Sequence, residues 1–138
     1  LFTIDTGTAV CSVIGDVGDG LDLSAMAFDS SGDLWMVDSF GPRLIQIDKF
    51  TAAILDSKPL GPINQEIGGL AFRPSDGTLF HAAGLASMLY TIDTGTGTPS
   101  VIGPISVPGG IWGLTFTQDP VPTIDTTWGK VKASFRRP

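Results

Sequence analysis

Hydrophobic and polar residues alternate in twos along most of this chain. In Leu1–Asp5 (LFTID), Leu1, Thr3 and Asp5 lie on one side of an extended segment and Phe2 and Ile4 on the other. The pattern returns as LIQID from Leu44 and as LYTID from Leu89, at spacings of 43 and 45 residues. Between these lies a second repeated element, LSAMAF ending at Phe28, IGGLAF at Phe72 and IWGLTF at Phe116. The first two are followed by turns rich in Ser, Gly and Asp (DSSGD from Asp29, RPSDG from Arg73) and then by apolar segments, LWMVDS and LFHAAG. No segment ahead of the tail carries a helical period.

The repetition is close at its ends. Leu1–Gly15 and Leu89–Gly103 agree at eleven of fifteen positions. Four short strands in a unit of 43–45 residues describe one blade of a β-propeller, so the fold class predicted is all-β, with about three blade equivalents of four-stranded antiparallel sheet. The innermost strand of each blade is expected at LSAMAF and its counterparts, because Ser24, Ala25, Gly68 and Gly69 tolerate crowding near the axis. LWMVDS and LFHAAG come next, then the L-x-x-I-D strand, then the strand through SVIG or AILDS. Numbered from the axis outward, the chain reads as strands three and four of one blade, two whole blades, and the inner strand of another. Leu1 falls in the middle of a repeat, so the sequence is expected to be a piece of a longer chain.

The domain boundaries expected are blades over 1–118, a linker over 119–127 (rich in turn formers) and a tail over 128–138. In the tail, Trp128, Val131 and Phe135 fit a helical stripe, and Val131, Ala133 and Phe135 equally fit a strand. Composition supports a packed protein: 42% of residues are hydrophobic and 16% charged, with 18 Gly and 10 Pro to break the strands. No apolar run reaches the length of a membrane-spanning helix. Cys11 and His81 are each the sole residue of their type, which excludes an intramolecular disulfide and leaves no Cys/His zinc set.

Charge narrows the partners. The net charge is −6, and all 14 acidic residues lie at or before Asp125, accompanied there by Arg43, Lys49, Lys58 and Arg73. Lys130, Lys132, Arg136 and Arg137 make the tail basic. An acidic body repels nucleic acid, so DNA or RNA is not an expected partner.

The units GLAF (Gly69–Phe72), DGTLF (Asp76–Phe80) and LYTIDTGTG (Leu89–Gly97) are similar to those of bacterial propellers of the NHL, YVTN and SMP-30 (gluconolactonase-like) superfamily. The resemblance covers about residues 1–118 and implies the fold more than any activity. It also implies a ring of six or seven blades, so further blades are expected from a longer chain or from a second copy of this one. Lactonase-like members hold a metal at one mouth of the central channel. Just ahead of the inner strands this sequence places Asp22, Glu66 and Gly110, which makes Asp22 and Glu66 the candidate Ca²⁺ ligands. The further Asn and Asp ligands of that family have no counterpart here, and no cofactor is otherwise expected.

The remaining acids and aromatics have a structural reading. Asp5, Asp48 and Asp93 each end a strand and are expected to accept hydrogen bonds from the next turn's amides. DSSGD lacks the downstream bidentate Glu of a calcium loop and reads as a β-turn. His81 aligns with Met36 on an apolar strand, and Cys11 has no histidine partner, so no nucleophile is evident. Trp35, Trp112 and Phe80 are expected between blades rather than as a sugar-stacking platform. In the tail, Trp128, Gly129, Val131, Lys132 and Phe135 are the residues of interest. The first four resemble short endings of exported proteins in some bacterial lineages that read Trp-Gly-x, then Ile or Val, then Lys.

The function expected is therefore a non-enzymatic propeller module that binds a protein or small ligand, exported to the outside or surface of a bacterial cell. The alternative is a metal-dependent lactonase-like hydrolase with its site at the channel.

Overall fold

The computed structural model describes residues 1–18, 20–61, 63, 68–84, 87–106 and 110–117. These form strands only. A leading hairpin pairs β1 (Phe2–Ile4) with β2 (Cys11–Val13). The first full sheet joins β3 (Leu23–Phe28), β4 (Leu34–Asp38), β5 (Arg43–Ile47) and β6 (Ile54–Pro59) in sequence order. The second joins β7 (Gly68–Phe72), β8 (Leu79–Ala83), β9 (Met88–Ile92) and β10 (Pro99–Pro104), again in order and antiparallel throughout. The strand sequence deduced from the repeat is the one observed.

Each repeated Asp closes the turn after its strand. Asp5 Oδ1 accepts from the amides of Gly7 (2.9 Å) and Thr8 (2.8 Å), Asp48 Oδ1 from Phe50 (2.7 Å) and Thr51 (3.1 Å), and Asp93 Oδ1 from Thr96 (2.8 Å). The backbone repeats too: Ala9, Ala52 and Gly97 donate to the carbonyls of Asp5, Asp48 and Asp93 at 2.7, 2.8 and 2.7 Å. All three donors are left-handed, with φ of 58°, 64° and 76°. These carboxylates are structural, as their position in the repeat predicts.

The core lies between sheets. Strand alternation sends Trp35, Val37 and Leu44 toward the second sheet, where Leu70, Leu79, Ala83, Tyr90 and Ile92 meet them. The opposite face, Leu34, Met36, Ile45 and Ile47, packs against Leu1, Val17, Leu21 and Leu23 beside the leading hairpin. Every residue of β4 and β8 is buried because these strands have a neighbour on both faces. At roughly 1.5–3 kcal/mol for each large side chain removed from water, these interfaces are the main source of stability.

Aromatic pairs repeat across the interfaces. Trp35 on β4 meets Phe72 on β7 with ring centroids 6.4 Å apart. One repeat later Phe80 on β8 meets Phe116 edge-on at 5.0 Å.

Two expectations are corrected. Ile111–Phe116 was expected as a strand, but residues 110–117 form no ladder with any described residue. The segment takes the inner-strand place against β7 with no described strand beside it to pair with, and inner-strand position alone does not supply backbone partners. Trp112 was expected between blades and is instead 63% exposed, because it occupies the position of Gly68 and points along the inner groove. Trp35 and Phe80, each 8% exposed, do lie between blades. The proposed linker and tail, including Trp128, Gly129, Val131, Lys132 and Phe135, lie outside the described residues.

Candidate functional site

Among the described residues, the inner strands define a candidate site that the repeat itself builds. β3, β7 and residues 112–114 line a groove of about 260 Å³, formed by Leu23, Ser24, Ala25 and Met26, then Gly68, Gly69 and Leu70, then Trp112, Gly113 and Leu114. Small residues are needed for this convergence. A Cβ on Gly69 would stand 2.4 Å from the Leu114 amide nitrogen, and one on Gly68 1.9 Å from the Ala82 carbonyl oxygen. Neither approach is possible for a larger residue. The result is a groove floored by the buried Gly68–Leu70 segment, with one exposed indole at its edge.

Asp22 lies immediately before β3. Its Oδ2 accepts from Ser39 Oγ at 2.8 Å and its carbonyl from the Ser39 amide at 2.8 Å. Its own amide donates to Asp38 Oδ1 at 3.0 Å. Glu66, the second expected ligand, lies outside the described residues. Among the described residues no three His, Cys, Asp or Glu side chains converge as a metal-binding group.

Asp38 is the residue that sequence reading passed over. It is fully buried at the end of β4 and accepts from the amides of Asp22 and Phe40 (3.0 and 3.1 Å) and from Arg43 Nη2 at 2.9 Å. Burial alone would raise its pKa. The Asp22 amide, the Arg43 guanidinium and the Phe40 and Gly41 amides outweigh that and hold it below the usual carboxylate range. The signal in the sequence was an acid closing an otherwise apolar strand, with Arg43 five residues on. Asp38 ties the segment before β3 to the β4–β5 turn.

At the other end of the sheets Asp29 is equally committed. Its Oδ1 accepts from the amides of Ser31 (2.9 Å) and Asp33 (3.0 Å), and its Oδ2 from the Trp35 indole at 3.0 Å. DSSGD is thus a turn, as its missing acid predicts. His81 is fully buried, lies against Tyr90 at 6.5 Å, and among the described residues neither ring nitrogen has a partner at hydrogen-bond geometry. Burial pulls its pKa below the ordinary histidine value, and the nearby Gly69 backbone offsets only part of this. It is a packed histidine. Cys11 is exposed on β2.

No protein-family model matches the chain, and no curated protein does. The NHL, YVTN and SMP-30 resemblance therefore stands on its motifs alone. Among solved structures, the chain is similar to hydrazine synthase of Kuenenia stuttgartiensis, with a TM-score of 0.51 and 17% identity over 81% of this chain and 31% of that one. It is also similar to the WD40 β-propeller domain of Doa1, with a TM-score of 0.52 and 15% identity over 72% of this chain and 33% of that one. The fold is that of β-propeller blades. The propeller segment spans about a third of the length of both structures. At these identities the likeness concerns architecture, and the residues of the groove must be read for themselves.

Proposed function

We propose that this propeller segment is a non-enzymatic binding and scaffold module, exported or displayed at the surface of a bacterial cell. The observation that carries the reading is the division of labour among its side chains. Asp5, Asp29, Asp38, Asp48 and Asp93 are engaged by turn amides, the Trp35 indole or Arg43, whereas the inner groove offers the 63%-exposed Trp112 beside small and apolar residues. Such a surface holds a ligand by shape and stacking. Export is supported by the resemblance of Trp128, Gly129, Val131 and Lys132 to the endings of exported proteins.

The test is a peptide-display selection on the immobilised chain, combined with a Ca²⁺-supplemented lactone hydrolysis assay. Selected peptides should bind the parent chain and lose about tenfold in affinity on Trp112→Ala, whose exposed side chain can be removed without disturbing the core. Ca²⁺-dependent lactone turnover abolished by Asp22→Asn would overturn the reading in favour of a hydrolase. Antibody labelling of intact producing cells checks the location, and signal only after lysis would refute surface display.

A further inference from the structure

His81 is a buried polar group that the binding groove does not use. It lies in the middle of β8, on the face that carries Leu79 and Ala83 and looks onto the first full sheet. Its cross-strand neighbours are Leu70 on β7 and Tyr90 on β9. The residue is 0% exposed, and among the described residues neither ring nitrogen has a partner at hydrogen-bond geometry. An imidazole so placed stays neutral while the interface is closed and takes a proton once water reaches it.

The first full sheet supplies the comparison. Met36 holds the repeat position of His81 and looks onto the preceding unit in the same way, packed with Leu34, Ile45 and Ile47. Two successive interfaces are therefore built alike, and one of them carries an imidazole. Around it, β9 contributes Tyr90 and β7 the apolar Leu70, while the first sheet presents Trp35, Val37 and Leu44. The charged groups are Lys58, which lies 5.6 Å from the centre of the Trp35 ring, its ion-pair partner Asp56, and Asp93, on which Lys58 also acts. The Lys58 ammonium holds Asp56, and the Thr96 amide holds Asp93, below the usual carboxylate range, so both stay ionised between pH 7 and 5. His81 is the group here that this range addresses.

Hydrating His81 requires little loss of backbone structure. The ladders run within each sheet and, among the described residues, none crosses between the two full sheets. Parting the sheets breaks side-chain packing, such as the Trp35–Phe72 contact, and leaves each ladder whole. The groove runs across the same junction, with Leu23–Met26 on one sheet and Gly68–Leu70 on the other. We infer that the interface between the two full sheets is an acid-labile joint: protonation of His81 parts β8 from the first sheet and separates the two walls of the groove. A ligand seated on both walls holds the joint closed, and by reciprocity acid favours its release. That consequence rests on the groove being a binding site; the joint itself does not.

Thiol labelling tests the joint without a ligand. In a Cys11→Ser background, Ala83→Cys places a thiol at a 0%-exposed site in the joint, and Met36→Cys places one at a 3%-exposed site in the other interface. Rates with dithiodipyridine are normalised to that of the exposed Cys11 in the parent chain. Labelling of Ala83→Cys should rise by up to roughly 25-fold from pH 7 to 5, the factor for an imidazole protonated only in the open state, while Met36→Cys changes by less than about threefold. Adding His81→Met should abolish the rise. Equal rises at both sites would overturn the proposal, because acid would then unfold the chain as a whole. So would no rise, or a rise that survives His81→Met. If the thiol variants do not fold, acrylamide quenching of Trp35 in Trp112→Phe/Trp128→Phe reads the same opening, and quenching indifferent to pH would overturn it. A groove-selected peptide should slow the Ala83→Cys reaction about hundredfold at a hundredfold excess over Kd. Absence of slowing would refute the groove as the peptide's seat, while the labelling alone decides the joint.

Discussion

The indole of Trp35 donates a hydrogen bond to Asp29 Oδ2 at 3.0 Å, joining the turn that precedes β4 to the ring that packs on the next blade. One carboxylate therefore serves two purposes. It closes the Asp29–Asp33 turn through two amides and fixes the orientation of the aromatic at the interface. The second full sheet dispenses with this device: Arg73 replaces Asp29, binds Asp76 and lies 5.0 Å from the centre of Phe80.

Replacing Asp29 with Ala should cost about 1–3 kcal/mol, because two turn amides and the indole lose their acceptor together. Asp29→Asn keeps an oxygen for the amides and should recover part of the loss. Urea unfolding of the three proteins measures this. An Ala variant within 0.3 kcal/mol of the parent would show that the turn holds without the carboxylate.

Stability should decline as pH falls below 6.5. His81 has its folded pKa depressed by burial below the ordinary value of 6.5, so the unfolded chain takes up a proton before the folded one does. The loss begins near 6.5 and is complete below the folded pKa. Asp29 and Asp38 have lowered pKa values, so their contribution is retained down to about 3.8 and falls only in stronger acid. The two windows are separate. His81→Met, the residue that the repeat places at Met36, should flatten the profile between pH 7 and 5 and raise stability at pH 5 by about 1 kcal/mol or more. Parallel declines in both proteins would assign the effect elsewhere.

Gly69→Ala should release residues 110–117 from β7. The new methyl would fall within 2.5 Å of backbone atoms of Gly113 and Leu114, and neither sheet nor segment can yield without losing the Phe80–Phe116 contact. A cost of about 1–3 kcal/mol is expected, with faster proteolysis after Phe116. Unchanged cleavage kinetics would mean that the segment is held by other contacts.

The left-handed turn positions respond in opposite directions. Ala9→Gly relieves a φ of 58° at an exposed site and should raise stability by up to about 1 kcal/mol, the gain being reduced by the freer unfolded chain. Gly97→Ala imposes that strain and also drives its methyl to 2.6 Å from the Pro59 carbonyl oxygen, so it should destabilise by more than Ala9→Gly stabilises. Thermal melts of both variants decide this, and changes of the same sign would refute the assignment.

What the sequence determined by itself was the local grammar. Alternation in LFTID, LIQID and LYTID, the Asp after each, and the small residues of the inner strands specify short strands, Asp-closed turns and crowded axial positions, because each depends on residues a few positions apart. The strand order within a blade followed from the same repeat. The tertiary structure decided what lies between blades. Asp38 becomes a buried anchor only because Asp22 and Arg43 are brought to it. Trp112 is exposed only because position 112 opens onto the groove, whereas the equally apolar Trp35 is covered. Phe28 and Phe72 carry the same side chain at the same repeat position, and one is open to solvent because burial is set by the neighbouring strand.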